Sequence, residues 1–512
     1  MGGAGDTTAA MDAAAQIRQA NLRAKSGMPG WIQNRKVFGV ARFACMGGLL
    51  YGYNQGVFSG VLDMHSFEQH MGDAVTNQTK KGWLTSILEL GAWFGALYSG
   101  PLCERYSRKY TILANVCVFC IGVMIQVTAV ANNGSSSNIL GGQFVTGMGV
   151  GSVPMYNAEI APPEVRGSLV AMQQLAITFG IMVTRINYGT NHIGGTGEGQ
   201  KDAAWLLPLA LQLDPAVILG IGMIFKPFSP LLTSLRELPA DGPVLQLELL
   251  EIKAQSIFEK RCEKENLFTS WPMVRRVMVA TGIFRFPVHR VNAVFYYTPS
   301  IFAQLGMSNN TTSLLATGVV GIAIFLATIP AVIWVDRLGR KPVLIVGAIG
   351  MASCQFIIAG IFAENENQWD SHQTAGWGAV AMLGPLCLII IAEIWPLSVR
   401  SKGTSLGASA NWMNNFIVGQ VTPDMLEDIR YGTYIFFGLI TSLGAVFVYF
   451  LVPETKQLSL EEMDTIFGSQ GTAAADFDRQ AEIAREIRLD EALGMFADRH
   501  AGVEVEVKRE KV

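Results

Sequence analysis

A chain of 512 residues that is 50% hydrophobic and only 15% charged falls well short of the roughly one-quarter charged residues of soluble domains. A net charge of −3, 54 glycines and a mean hydropathy of +0.32 exclude a nucleic-acid partner and a string of soluble domains. What remains is an all-α membrane protein, because helices satisfy their own backbone hydrogen bonds in lipid.

The first 36 residues are rich in Ala, Gly and polar side chains, with no apolar run before a small-residue cleavage site. A cleaved leader is therefore not expected. Twelve apolar windows follow, each long enough to cross the hydrocarbon core. In chain order they are 37–62, 83–102, 110–131, 139–161, 168–189, 203–225, 277–303, 312–335, 342–363, 375–394, 404–425 and 431–452. Residues 226–276 and 453–512 are polar, which divides the chain into an N-terminal segment 1–36, a bundle 37–225, a linker 226–276, a second bundle 277–452 and a tail 453–512.

Charge sets the expected orientation. With the N-terminus inside, the short inner segments hold 22 Lys and Arg, and the outer loops hold four: Lys80, Lys81, Lys201 and Arg430. That bias puts both termini in the cytoplasm. The N-x-S/T sequons at Asn77, Asn133, Asn309 and Asn310 all fall in loops assigned outside and are candidate glycosylation sites. The seven cysteines are odd in number and mostly lie in apolar stretches, so they read as small apolar residues.

The two halves repeat one another. Glu104-Arg105 with Arg108-Lys109 follows the second window, and Asp336-Arg337 with Arg340-Lys341 follows the eighth. Glu159 precedes Arg166 by seven residues after the fourth window, and Glu393 precedes Arg400 by seven after the tenth. Such carboxylates and guanidiniums can pair across the seam between halves as a cytoplasmic gate, or anchor the helices at the headgroups. Four motifs in register favour the gate.

Further along, YGYNQGVFSG (51–60), PMYNAEIAPPEVRGS (154–168), QQLAITFGI (173–181), NAVFYY (292–297), AEIWPLSVRSKG (392–403), NWMNNF (411–416) and VPETK (452–456) appear in order. With the repeated charged loops they make the chain resemble the sugar porter family of the major facilitator superfamily, in particular fungal monosaccharide transporters. The resemblance implies twelve membrane helices in two six-helix bundles, a plasma-membrane location, and transport of a hexose or pentose by alternating access. It implies no enzymatic activity, cofactor or metal, and it adds Glu454 to the cytoplasmic gate.

A sugar is ringed by hydroxyls, so its site calls for amides that donate and accept, and for aromatic faces. By the resemblance Gln174, Asn292, Asn411, Trp412 and Asn415 line the central cavity, and Tyr296 and Tyr297 form part of the outer gate. The alternative role for these amides is to bridge helices, and Asn414, off the matching face, is read that way.

Proton-coupled relatives carry an Asp in the first span and an Arg in the fourth; here those positions hold Asn54 and Gln143. An amide does not exchange protons at physiological pH, so facilitative uniport is expected over proton symport. Phe286-Pro287 replace a Gln-Gln pair of relatives, and Arg285, His289 and Arg290 enter the seventh window. These departures fit either an anionic substrate such as a sugar acid or altered coding text. The shortened tenth window, with Leu388 in place of a cavity Trp, favours the second. Arg185 and Asp214 are further charges inside windows without evident partners. A non-transporting sugar sensor is the other function class, and the tail is short for it. Residues 243–266 and the Ile483, Ile487, Leu489, Leu493 spacing of the tail predict amphipathic helices.

Overall fold

The computed structural model describes residues 45–106, 108–130, 136–151, 166–225, 271–283, 340–365, 400–454 and 481–487, with isolated residues in 250–261, 297–301 and 318–329 and at 479. Every regular element among them longer than a single turn is an α-helix. The N-terminal set comprises α1 (Met46–Val61), α2 (His65–Met71), α3 (Asp73–Thr76), α4 (Gln78–Tyr106), α5 (Arg108–Val127), α6 (Ser136–Val150), α7 (Arg166–Val183), α8 (Ile186–Thr190), α9 (Ala203–Ala210) and α10 (Leu213–Phe225). The C-terminal set comprises α11 (Trp271–Ile283), α12 (Arg340–Asn365), α13 (Arg400–Asp428) and α14 (Gly432–Leu451).

Among the described residues four helical stretches are long and apolar enough to cross a membrane: Lys109–Val127, Ala203–Ile224 (α9 and α10 taken together), Lys341–Glu364 and Gly432–Leu451. The helices α4 and α13 are longer still, at 29 residues each, but Lys80, Lys81, Glu89, Arg105, Asp424 and Glu427 dilute their apolar character. The windows 375–394 and most of 277–303 and 312–335 lie outside the described residues.

Two windows expected as single helices are interrupted. In the fifth, α7 ends at Val183 and α8 resumes at Ile186, and the Thr184 hydroxyl donates to the Ile181 carbonyl at 2.6 Å. In the sixth, α9 and α10 are separated by a turn at Leu211–Gln212. The connection between the first two spans also carries two short helices that no apolar period announced. Gly72, at φ 49°, turns the chain between α2 and α3. Phe67 of α2 stacks edge-on with Phe58 of α1 (6.0 Å) and with Trp205 of α9 (5.4 Å). The Ser66 amide donates to Gln200 Oε1 (2.8 Å), and its hydroxyl donates to Asp202 (2.7 Å), which fastens α2 across the mouth of the N-terminal set.

Within the N-terminal set the helices touch backbone to backbone. A Cβ on Gly52 of α1 would lie 1.9 Å from the Ile177 carbonyl oxygen of α7, and one on Gly147 of α6 would lie 2.0 Å from that of Leu88 on α4. Lipid tails are as apolar as leucine, so association relies on such close approach more than on apolar burial. Cys117 and Cys120 stand one turn apart on α5 with free thiols, the former exposed.

Beyond the last span, Phe258 of the linker and Ile483 of the tail bury one another, and Arg261 pairs with Glu486 and, at 3.9 Å, with Glu482. Both partners come from the stretches expected to form amphipathic helices.

Replacement of Gly147 or Gly52 by Val is expected to cost at least the ~1–3 kcal/mol of an overpacked core. Gly141→Val on the open side of α6, where a Cβ meets nothing within 4 Å, costs little beyond helix propensity. Fluorescence-detected size exclusion of the three variants in detergent, before and after heating, reads the difference as loss of the monodisperse peak.

Candidate functional site

Among the described residues the two sets meet at several places, two of which are helix crossings. The larger is α4 against α13, which run antiparallel: residue 79 lies by 424, 83 by 416 and 96 by 405. Small residues make the approach possible. Ser405 Oγ donates to the Ala96 carbonyl at 2.7 Å, a Cβ on Gly100 would lie 3.2 Å from Ser405 Oγ, and one on Gly82 would lie 2.8 Å from the Gln420 carbonyl. The second crossing sets α7 against residues 318–329: Phe179 and Phe325 stack at 5.7 Å, and Gly318 lies beside the Arg185 side chain.

At the Thr79 end the α4–α13 seam is polar. Thr79 Oγ1 donates to Asp424 (3.0 Å), Gln420 Nε2 donates to the Thr79 carbonyl (3.2 Å), and Ser86 Oγ donates to Gln420 Oε1 (3.2 Å). Tyr297 is buried there, 1% exposed, and its hydroxyl donates to the Gly419 carbonyl at 2.6 Å and bonds the Thr85 hydroxyl. One phenol thus ties together both sets. Tyr296 and Asn292 lie outside the described residues.

Deeper along α13, Trp412 is buried at 2% exposure and meets Tyr51 of α1 edge-on, with centroids 4.8 Å apart. Asn415, one turn on, is buried, while Asn411 and Gln174 of α7 are half-buried. Trp412 Nε1 has no protein partner. The ring lies in an apolar cluster with Leu50, Ala92 and Ala96, so this N–H is a buried donor without a protein acceptor. Asn414, read as a bridge between helices, instead donates to the Ala410 carbonyl of its own helix at 2.8 Å. It satisfies itself one turn back and, among the described residues, bridges to no other helix.

Asn54 on α1 is fully buried, and neither atom of its carboxamide has a protein partner; Gln143 on α6 is 1% exposed, with its Oε1 likewise unmatched. Arg185 is exposed between α7 and α8, and Asp214 is exposed at the start of α10.

Of the predicted cytoplasmic gate, the side chains of Arg105 and Glu454 are described. Arg105 is exposed near the end of α4, and Glu454 accepts the Lys341 backbone N–H at 3.0 Å. A carboxylate on a free N–H in the first turn of α12 completes that helix start and opposes its dipole. Glu104, Arg108, Arg166, Arg340 and Arg400 belong to described helices, but their side chains lie outside the described residues, as do Glu159, Asp336, Arg337 and Glu393 altogether. The seam residues Thr79, Ser86, Ser405, Gln420 and Asp424 were not anticipated. Thr79, Gly82 and Ser86 share one face of α4 by their spacing, and that small, polar stripe was the available signal.

Among the described residues no group of three or more His, Cys, Asp or Glu could hold a metal ion. A family model described as "Sugar (and other) transporter" matches residues 40–467. The chain is 28% identical to the quinate permease of Emericella nidulans, over 90% of this chain and 93% of that one. It is also 28% identical to a probable quinate permease of Aspergillus niger, over 91% and 93%. In structure it is similar to the proton:xylose symporter XylE bound to 6-bromo-6-deoxy-D-glucose, with a TM-score of 0.69 and 24% identity over 85% of this chain and 99% of that one. The partially occluded inward-open form of XylE from E. coli gives a TM-score of 0.65 at 25% identity, over 83% and 100%.

Tyr297→Phe removes the donor to the buried Gly419 carbonyl while keeping the ring. The expected loss is about 1–3 kcal/mol, read as a lower thermal midpoint than wild type in detergent. Thr441→Val, which breaks a bond within α14 alone, gives the baseline for a hydroxyl lost inside one helix.

Proposed function

The chain belongs to the sugar transporter family of the major facilitator superfamily, and on that premise we propose that it carries a monosaccharide, hexose or pentose, down its own gradient across the plasma membrane. It is a multi-pass membrane transporter and not an enzyme. In this reading both termini face the cytoplasm, in keeping with the 22-to-4 distribution of Lys and Arg between inner and outer segments. The Thr79–Asp424 end of the seam then faces outward. Asn77, exposed just before α4, is the glycosylation candidate within the described residues.

The observation that carries the passive reading is the pair Asn54 and Gln143. Both are buried, and both are carboxamides where proton-coupled members of the resembled family carry an Asp and an Arg. A proton carrier has to bind and release a proton within the working pH range, which a carboxylate or imidazole can do and an amide cannot. The buried amides at these positions therefore leave the solute gradient as the driving force.

For the substrate, Gln174, Asn411, Trp412 and Asn415, together with Asn292, are proposed to ring the sugar hydroxyls. Amides meet a vicinal diol with one donor and one acceptor each, and the Trp412 indole adds a donor and an apolar face. Tyr297, which bridges both sets, is proposed as part of the outer gate with Tyr296. The charged loops from Glu104 to Arg400, with Glu454, are proposed to close the opposite side.

A second reading takes a hydroxylated ring acid as the solute. The Arg185 guanidinium, exposed beside Gly318 where the two sets cross, favours it, and relatives at 28% identity are named for quinate.

Uptake of labelled hexoses, pentoses and quinate by cells lacking their own carriers separates these readings. The neutral-sugar reading expects saturable monosaccharide uptake with no alkalinisation of the medium on adding sugar, and Trp412→Ala reduces it tenfold or more, on the order of 1.4 kcal/mol. Medium alkalinisation overturns the passive mechanism. Quinate uptake that is lost in Arg185→Gln, without sugar uptake, replaces the first substrate by the second. No uptake of any solute by a correctly delivered protein overturns transport.

A further inference from the structure

The polar end of the α4–α13 seam has a construction that a passive packing contact does not need. Gln420 uses both ends of one carboxamide on the same neighbouring helix: its oxygen accepts from Ser86 Oγ and its nitrogen donates to the Thr79 carbonyl, each at 3.2 Å. Those two partners are seven residues apart, two turns of α4, and Gly82 between them leaves room for the α13 backbone. One turn further along α13, Asp424 accepts from the Thr79 hydroxyl at 3.0 Å. Thr79 is therefore held twice, once by its side chain and once by its carbonyl. Thr79 is exposed and Gln420 and Asp424 are half-buried, while Ser86 is buried beneath them, so water has direct access to the Thr79 bonds and reaches Ser86 once the helices part.

We propose that Gln420 and Asp424 form a clasp on the outer side of the seam that sets the balance between the conformer with α4 and α13 apposed here and the conformer in which they separate. The clasp rests on the transport reading given above, because it needs two exchanging conformers. Its chemistry is specific: a carboxamide is the side chain that donates and accepts at once, so it can fasten to a hydroxyl and a carbonyl together. Glutamate at 420 keeps the bond from Ser86 but turns an anion toward the Thr79 carbonyl. Leucine keeps the volume and neither bond. Both residues act on the substrate through the helix positions and are positioning residues.

Hydrogen–deuterium exchange on the purified full-length protein tests this without knowledge of the solute. Gln420→Leu and Asp424→Leu are expected to shift the conformer ratio about five- to tenfold, the scale of two modest hydrogen bonds. Exchange then speeds up in peptides covering 79–86 and 416–424 and slows at the far end of the same helix pair, around 101–106 and 400–404 beyond the Ala96–Ser405 contact, because the halves close there as they open here. Asp424→Asn, which still accepts from Thr79, exchanges as wild type, and Gln420→Glu falls between wild type and Gln420→Leu. A merely structural role would speed exchange at both ends alike or at the mutated end alone, and either pattern overturns the clasp. Where a transported solute is in hand, the same variants lower the apparent KM for uptake and raise it for efflux; equal changes in both directions also overturn it. Failure of uptake with the opposite-signed exchange intact counts against the transport reading and leaves the clasp standing.

Discussion

Backbone contact between helices is the constraint on which this architecture depends. In lipid there is little hydrophobic gain from pressing two apolar helices together, so stability comes from atoms that approach closely and from polar groups that find partners. The N-terminal set takes the first route. At Gly52 against Ile177, Gly91 against Phe144 and Gly147 against Leu88, the helices sit nearer than any β-carbon would allow. Separating them would forfeit dense contacts that neither lipid nor water restores. The seam between the sets takes more of the second route. Its bonds at Thr79, Ser86 and Gln420 join groups that water can satisfy as well. The molecule thus pairs cohesion inside the N-terminal set with exchangeable contacts at the seam, which is what a body that rocks without deforming requires.

The buried Asn54 and Gln143 belong to the same logic. A charged pair at that depth would be stabilising when matched and costly when parted, and it would tie the conformational change to protonation. Carboxamides lower both the gain and the penalty. The N-terminal set then carries no titratable group at these two positions.

Much of the helical layout was legible because apolar length is a strong signal. The windows 342–363 and 431–452 correspond closely to α12 and α14. Less legible were features whose cause is local. The break at Thr184 falls inside an unbroken apolar window, and α2 is held by Ser66, Gln200 and Asp202, none of which carries a period. Asn414 and Gln420 look alike in sequence, each an amide in an apolar helix. One bonds to its own backbone and the other reaches the neighbouring set, and that distinction is set by which helix lies opposite. Tyr297 and Trp412 carried a family motif and both lie against residues of the N-terminal set, whereas the stripe Thr79, Gly82, Ser86 had only its spacing to mark it.

The contact of the tail with the linker bears on how the chain is made. Arg261 and Glu486 are separated by 225 residues, with the whole C-terminal set between them. During synthesis the linker emerges early and waits while α11 to α14 are inserted, its apolar Phe258 face uncovered until Ile483 arrives. The closing of that small cluster is consequently one of the last tertiary events available to the nascent protein, and it can occur only on chains translated past residue 486.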